Sequence, residues 1–189
     1  IPQRNLEATA RRFDDLVFAS VFQTFAPSAE VPGKITILNA NPPALAGYFQ
    51  ASDSLPTAAF PFSNERVMLV MNGTVDVSSD RYLGTLAHEL QHLANWLVDP
   101  TEETWISEGL AELSAALLGL PAFSYQTYLS NPNVSLANWP MDLGAVATAY
   151  SGASLFSRYV ADRFGVDSLD TLVAKPLDGA DGLQAFLDD

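Results

Sequence analysis

SSDRYLGTLAHELQHLANWLVDP, residues 78–100, carries the signals of one helix from end to end. Ser78, Ser79 and Asp80 offer N-caps, and Asp99-Pro100 ends the run, because a residue before proline is pushed out of the helical region. The helix expected from about Arg81 to Val98 gathers Leu83, Leu86, Ala87, Leu90, Ala94 and Leu97 on its core side. Its other side carries the only two histidines of the chain, His88 and His92. Residues four apart share a helix face about one turn apart, so the two imidazoles can offer nitrogens to one small cation, and zinc accepts such a pair. Two histidines placed at random in a chain this long fall four apart only about 1% of the time, which favours a built site over an incidental polar stripe. Glu89 lies about 100° round from His88, where a carboxylate can reach a metal-held water and act as its base.

Upstream, Asn5 can cap a packing helix through LEATARRFDDLVFASVFQTF, in which Leu6, Phe13, Val17, Val21 and Phe25 recur at helical spacing until Pro27. KITIL (residues 34–38) and RVMLVMN (residues 66–72) are short, β-rich and bounded by Pro, Gly and Asn, as strands are. Between them NPPALAGYFQASDSLPTAAFPFSN, with prolines at 42, 43, 56 and 61, reads as a long ordered excursion over the surface. Downstream, Asp99 with Glu102 three residues on, and Pro100 in the first turn, is expected to open a second helix running to Gly119. A Pro/Asn-rich connection then leads to Asp142, which opens a third long helix, Leu143 to Phe164, closed by Gly165. Leu155, Phe156, Tyr159, Val160 and Phe164 of that helix are expected in the core. Short helical segments around Ser168 to Ala174 and Gly182 to Leu187 finish the chain. The element order implies an α+β lobe over residues 1–98, ending in the histidine helix, and a helical lobe over residues 99–189.

The chain has 189 residues, 48% of them hydrophobic, enough to bury a core in one domain or two tightly packed lobes. No apolar run reaches the length of a membrane span; even the leucine-rich stretch after Glu108 is interrupted by Glu112 and ends at Pro121. With 22 acidic against 9 basic residues the net charge is −13, which repels nucleic acid and anionic membrane surfaces. The absence of cysteine excludes thiol catalysis, cysteine-ligated zinc and disulfides, and leaves the redox compartment open. The acidic balance favours an exported protein, and a start at Ile1 fits a leader or pro-segment already removed.

A hydrolytic zinc takes three protein ligands and keeps one position open. There is no third histidine, and Asn95 and Val98 stand where the HExxHxxGxxH pattern needs glycine and histidine. A carboxylate must therefore serve, and on the next helix Glu108 lies 16 positions after His92, with Glu112 on the same face. HELQH followed by WISEGLAE resembles the gluzincin clan of zinc metallopeptidases, in which a glutamate on the helix after HExxH completes the site. The resemblance implies a zincin-like fold, zinc ligands His88, His92 and Glu108, Glu89 as the base, and Glu112 as the carboxylate that orients a ligating histidine. Ser107 departs from the asparagine common in the clan before the ligand glutamate. Within the clan, AGYFQASD (residues 46–53), FSNE around Asn64 and the order of the segments are similar to the hyicolysin-like peptidases. The resemblance spans about half the chain. It also implies that the strand Arg66 to Asn72 is the edge strand that pairs with an extended substrate, although VMLVM by itself suits an interior strand.

What the resemblance implies in activity is a zinc endopeptidase that hydrolyses peptide bonds of a peptide or protein substrate through a zinc-bound water activated by Glu89. Oxyanion stabilisation needs a further donor. Tyr150, followed by Gly152 on the third long helix, is the candidate by the same resemblance; a buried structural tyrosine is the plain alternative, and Tyr159 and Tyr125 are the other candidates. Trp96 and Trp105 bracket the metal segment and read as core aromatics that can also close a cleft. Two other classes remain: a zinc-binding adhesion or recognition domain without turnover, and a metal-free helical packing domain. Cleavage specificity and oligomeric state have no mark in the sequence.

Overall fold

Phe13, Val17, Val21 and Phe25 are all buried, a stripe with a strict spacing of four. That spacing drifts round a regular α-helix, and the chain absorbs the drift by widening to a π-helical segment, Phe13–Phe18, between α1 (Gln3–Arg12) and α2 (Ala19–Phe25). In this computed structural model, which describes residues 1–42 and 45–189, α1 starts at Gln3 behind Pro2. Asn5 is therefore inside the helix and not its cap; proline before the first turn fixes the start instead. Leu6, on the far side of the π turn, is left exposed.

The molecule is α+β, mainly helical, with one small sheet among the described residues. Strand β1 (Thr36–Ala40) lies parallel to β3 (Met68–Asn72), pairing Thr36 with Met68 and Ala40 with Asn72. A third strand, β2 (Gly47–Phe49), runs antiparallel to β3, pairing Gly47 with Met71 and Phe49 with Leu69. The order is β1-β3-β2, so the 66–72 segment is the central strand and not the edge. The physical reason is in its composition: Met68, Leu69, Val70 and Met71 are buried on both faces, which only an interior strand can offer them. The edges are β1 and β2, and β2 arises inside the stretch expected to be an irregular excursion. The rest of that excursion is knitted around Asp53, whose carbonyl accepts from Arg66 N and Ser63 Oγ and whose carboxylate accepts from Asn64. Pro43 lies outside the described residues.

Helix α3 (Asp80–Val98) crosses beneath the sheet, its N-terminus capped by Ser79 Oγ, which accepts from Tyr82 N at 3.1 Å. Gly47 lets β2 lie against it, since a Cβ there would meet Thr85 Cγ2 at 2.9 Å. Leu83, Leu86, Ala87, Leu90 and Ala94 are buried as the pattern requires, joined by Leu93. Helix α4 (Thr104–Leu117) packs on α3, beginning after Glu103. Asp99 does not cap it: Asp99 Oδ1 accepts instead from Thr101 N and Oγ1, so residues 99–103 form a separate turn.

A short helix α5 (Tyr125–Ser130), capped by Ser124, lies within the connection expected to be irregular. Helix α6 (Leu143–Phe164) has the expected bounds, with Asp142 Oδ1 accepting from Gly144 N and Gly165 ending it at φ 95°. Its buried face differs in part from the expectation: Val160 is buried and Leu155 and Phe156 are half-buried, but small residues supply most of it. Ala149, Ala153, Ser157, Val160 and Ala161 are inside, whereas Tyr159 is 58% exposed and Phe164 is also exposed. The cause is close contact with α4: a Cβ on Gly109 would meet Ala153 O at 2.7 Å, and so tight a crossing admits only small residues. Helices α7 (Leu169–Val173) and α8 (Gly179–Leu187) return to the N-terminal half, α7 against α2. One hydrophobic cluster runs from Phe13 through Leu69, Leu86 and Leu110 to Phe186, joining the two halves.

Candidate metal centre

Two helices build the site. From α3 come His88 and His92, one turn apart; from α4, turned to face it, come Ser107, Glu108 and Glu112. Three atoms converge between them. His88 Nε2 and His92 Nε2 are 3.1 Å apart, and Glu108 Oε2 lies 3.2 Å from the first and 3.3 Å from the second.

The outer nitrogens fix the chemistry of the inner ones. Glu112 Oε1, an acceptor when ionised, lies 3.0 Å from His88 Nδ1, and Ser107 Oγ lies 3.1 Å from His92 Nδ1. With each Nδ1 donating outward, each neutral ring presents its Nε2 lone pair to the centre. Glu112 is itself anchored, since its Oε2 accepts from Phe123 N at 2.7 Å.

The residues present fit a bound cation. Lone pairs of two imidazoles and one carboxylate crowd together, and Glu108 Oε2 is buried with no hydrogen-bond donor. Two ligands of a tetrahedral zinc at 2.0–2.1 Å stand about 3.3 Å from each other, which is the size of this triangle. Two imidazoles and one carboxylate suit zinc better than magnesium or calcium, which prefer oxygen throughout.

Glu89 is 6% exposed, and one ligand atom each from His88, Glu89 and His92 lies within 4.8 Å of the others. Burial pushes its pKa above the ordinary 4.5, against the pull of His88, of His92 and of the nearby Phe49 backbone. Burial alone would depress His88, but Glu108 and Glu112 more than offset it, and its pKa stands well above 6.5. Burial would raise Glu108, yet the two histidines beside it hold it below the usual carboxylate range.

Tyr150, on α6, reaches the same centre. Its ring stacks on Phe123 at 5.0 Å, meets Trp139 edge-on at 5.1 Å and lies 6.2 Å from His88. Its hydroxyl lies near Glu108, and burial followed by the negative charge of Glu108 raises its pKa. Tyr159 faces outward on α6. Trp105 is a core residue against Phe156, its indole N–H donating to Glu103. Trp96 packs near Phe49 and lines a groove of about 340 Å³ beside His92 and Glu108.

The sequence marks the residues that converge, and it misses some that support them. Ser107 as the partner of His92 looks like any helical serine until the two helices are docked. Phe123 reaches the site through its backbone N–H, which leaves no signature in side-chain type. No protein-family model matches the chain, and no curated protein is significantly similar to it.

Proposed function

We propose that the protein is a zinc-dependent endopeptidase of zincin-like fold in which His88, His92 and Glu108 hold the metal and Glu89 is the general base. The observation that carries this reading is the meeting of three lone-pair donors at 3.1–3.3 Å beside a buried, unligated carboxylate. Bound zinc would supply a Lewis acid and acidify a water in its open position.

The chain's own residues supply the rest. Glu89, adjacent to the ligands and raised in pKa, is suited to take a proton from water at neutral pH and return it to the leaving amine. Tyr150, protonated across the working pH range, can donate to an oxyanion that develops beside Glu108. Glu112 and Ser107 keep the imidazoles in the ligating tautomer. Strand β2, with no neighbour on its outer side among the described residues and close to Glu89 at Phe49, offers its main chain to an extended peptide. The acidic composition suits an exported enzyme acting on protein substrates.

A zinc that only shapes a recognition domain would be closed by a fourth protein ligand and would need no base at Glu89. Metal analysis of the purified protein, run beside hydrolysis of casein with and without chelator, tests the reading. About one zinc per chain and activity that chelator removes are expected; a metal-free, inactive protein after zinc loading overturns it. Glu89→Gln should keep the zinc and lose activity by about 100-fold or more; full activity in that variant removes Glu89 from its role.

A further inference from the structure

The groove beside His92 and Glu108 continues along α3 to the turn at its end. Its sides are apolar, with Phe49, Trp96 and Pro100; its far end is polar, with Asn95, Asp99 and Glu102. Asn95 is 4% exposed, and its amide N–H donates to the Asp99 carbonyl at 3.1 Å, but its Oδ1 has no donor. Asp99 Oδ2 is likewise buried and unpaired. Burial raises the pKa of Glu102, and the charges of Asp99 and Asp178 raise it further, although it accepts from the backbone of Gly179 and Glu103. None of the residues lining the groove is a lysine or arginine. These are acceptors and negative charges without a counterpart, in a depression continuous with the metal centre.

We propose that this groove is the specificity pocket of the enzyme and seats a basic side chain of the substrate, arginine above lysine, from a residue next to the scissile bond. The inference rests on the metallopeptidase reading and adds the substrate class. His92 and Asp99 are seven residues apart, about 10 Å along the helix, a span that a long side chain entering beside the metal covers together with the Asp99 side chain. The acceptors are spread out: among the described residues, the carboxylate and histidine atoms close enough to share a small ion are those of the histidine cluster. A planar guanidinium with five donors suits several separated acceptors, and its apolar stem and flat cation suit walls of Trp96 and Phe49. The net charge of −13 draws cationic peptides toward the protein.

Cleavage sites of the zinc-loaded protein in casein, mapped by mass spectrometry, should place arginine or lysine next to the cut bond far above their share of the substrate. A peptide cut in that digest is then made in two forms, with arginine or with neutral, isosteric citrulline at that position. Calorimetric binding of both to Glu89→Gln, which does not turn them over, should favour arginine by about 10-fold. Asp99→Asn, which keeps the acceptor for Thr101, should shrink that ratio toward unity while binding of the citrulline peptide is unchanged. Efficient cleavage with no basic preference, or equal binding of the two peptides, overturns this inference and leaves the peptidase reading standing. Absence of cleavage in any substrate by zinc-loaded protein overturns both.

Discussion

Glu112 shows how much a single carboxylate can decide. One oxygen fixes the tautomer of His88 and the other holds the backbone of Phe123, whose ring stacks on Tyr150. Glu112→Gln can still bond His88 through its amide oxygen but removes the negative charge that makes the imidazole a stronger ligand. Zinc affinity should fall by about 10-fold to 100-fold, as for other outer partners of ligating histidines. Competition against a chromophoric chelator measures this, and an unchanged affinity would show that Glu112 serves only the Phe123 loop. Glu108→Ala should do worse, because it removes a ligand: zinc stoichiometry after dialysis should drop well below one per chain. At this scale the sequence is informative where chemistry depends on spacing along one helix, as for His88, Glu89 and His92. It is less so where partners meet across helices, since Ser107 acquires its role only when α4 docks on α3.

Whether α4 presents Glu108 correctly depends on its seat between α3 and α6. Gly109, directly after the ligand, is where α4 meets α6 most closely: an added Cβ would lie 2.5 Å from Ser157 Oγ and 2.7 Å from Ala153 O. The serine can rotate, but the carbonyl belongs to the α6 backbone, so Gly109→Ala must push the helices apart. The cost expected of such overpacking is about 1–3 kcal/mol, read as a lower midpoint in thermal or urea unfolding. Because Tyr150 rides on α6 and lies beside Glu108, the same variant should also weaken zinc binding. A variant as stable and as tight for zinc as the parent would mean that the crossing is looser than described. The ends of α3 and α6 are legible in the sequence because caps are local: Ser79, Asp142 and Gly165 act within a few residues of themselves. The short edge strand β2 and the π turn are not legible, because β2 exists only through pairing with β3 and the π turn only through the need to keep a four-spaced stripe facing one core.

Over the whole molecule, the cluster of histidines and carboxylates couples folding to pH. Without metal, the folded protein holds His88 between Glu108 and Glu112 with a pKa raised above 6.5. A raised folded-state pKa gives stability that is complete below the unfolded value and lost as pH climbs through the folded one. Glu108 works in the other direction: its pKa is held below 4.5, so its contribution is present above that pH and lost as the solution is made more acid. These two groups together contribute most between about pH 4.5 and 6.5, and the loss of the His88 contribution should lower the melting temperature of chelator-treated protein progressively as pH rises from 6.5. On the proposed reading zinc would replace the proton as the charge that holds the carboxylates together, and its binding would strengthen as protons leave. Zinc at 1,000 times its dissociation constant adds about 4 kcal/mol, and that gain should grow across the same interval in which the metal-free protein weakens. Thermal melts from pH 5 to 9, with chelator and with zinc, provide the comparison: two parallel curves would mean that His88 is not the proton-binding partner of this carboxylate cluster, whereas curves that diverge above pH 6.5 make one imidazole the point where proton, metal and fold compete.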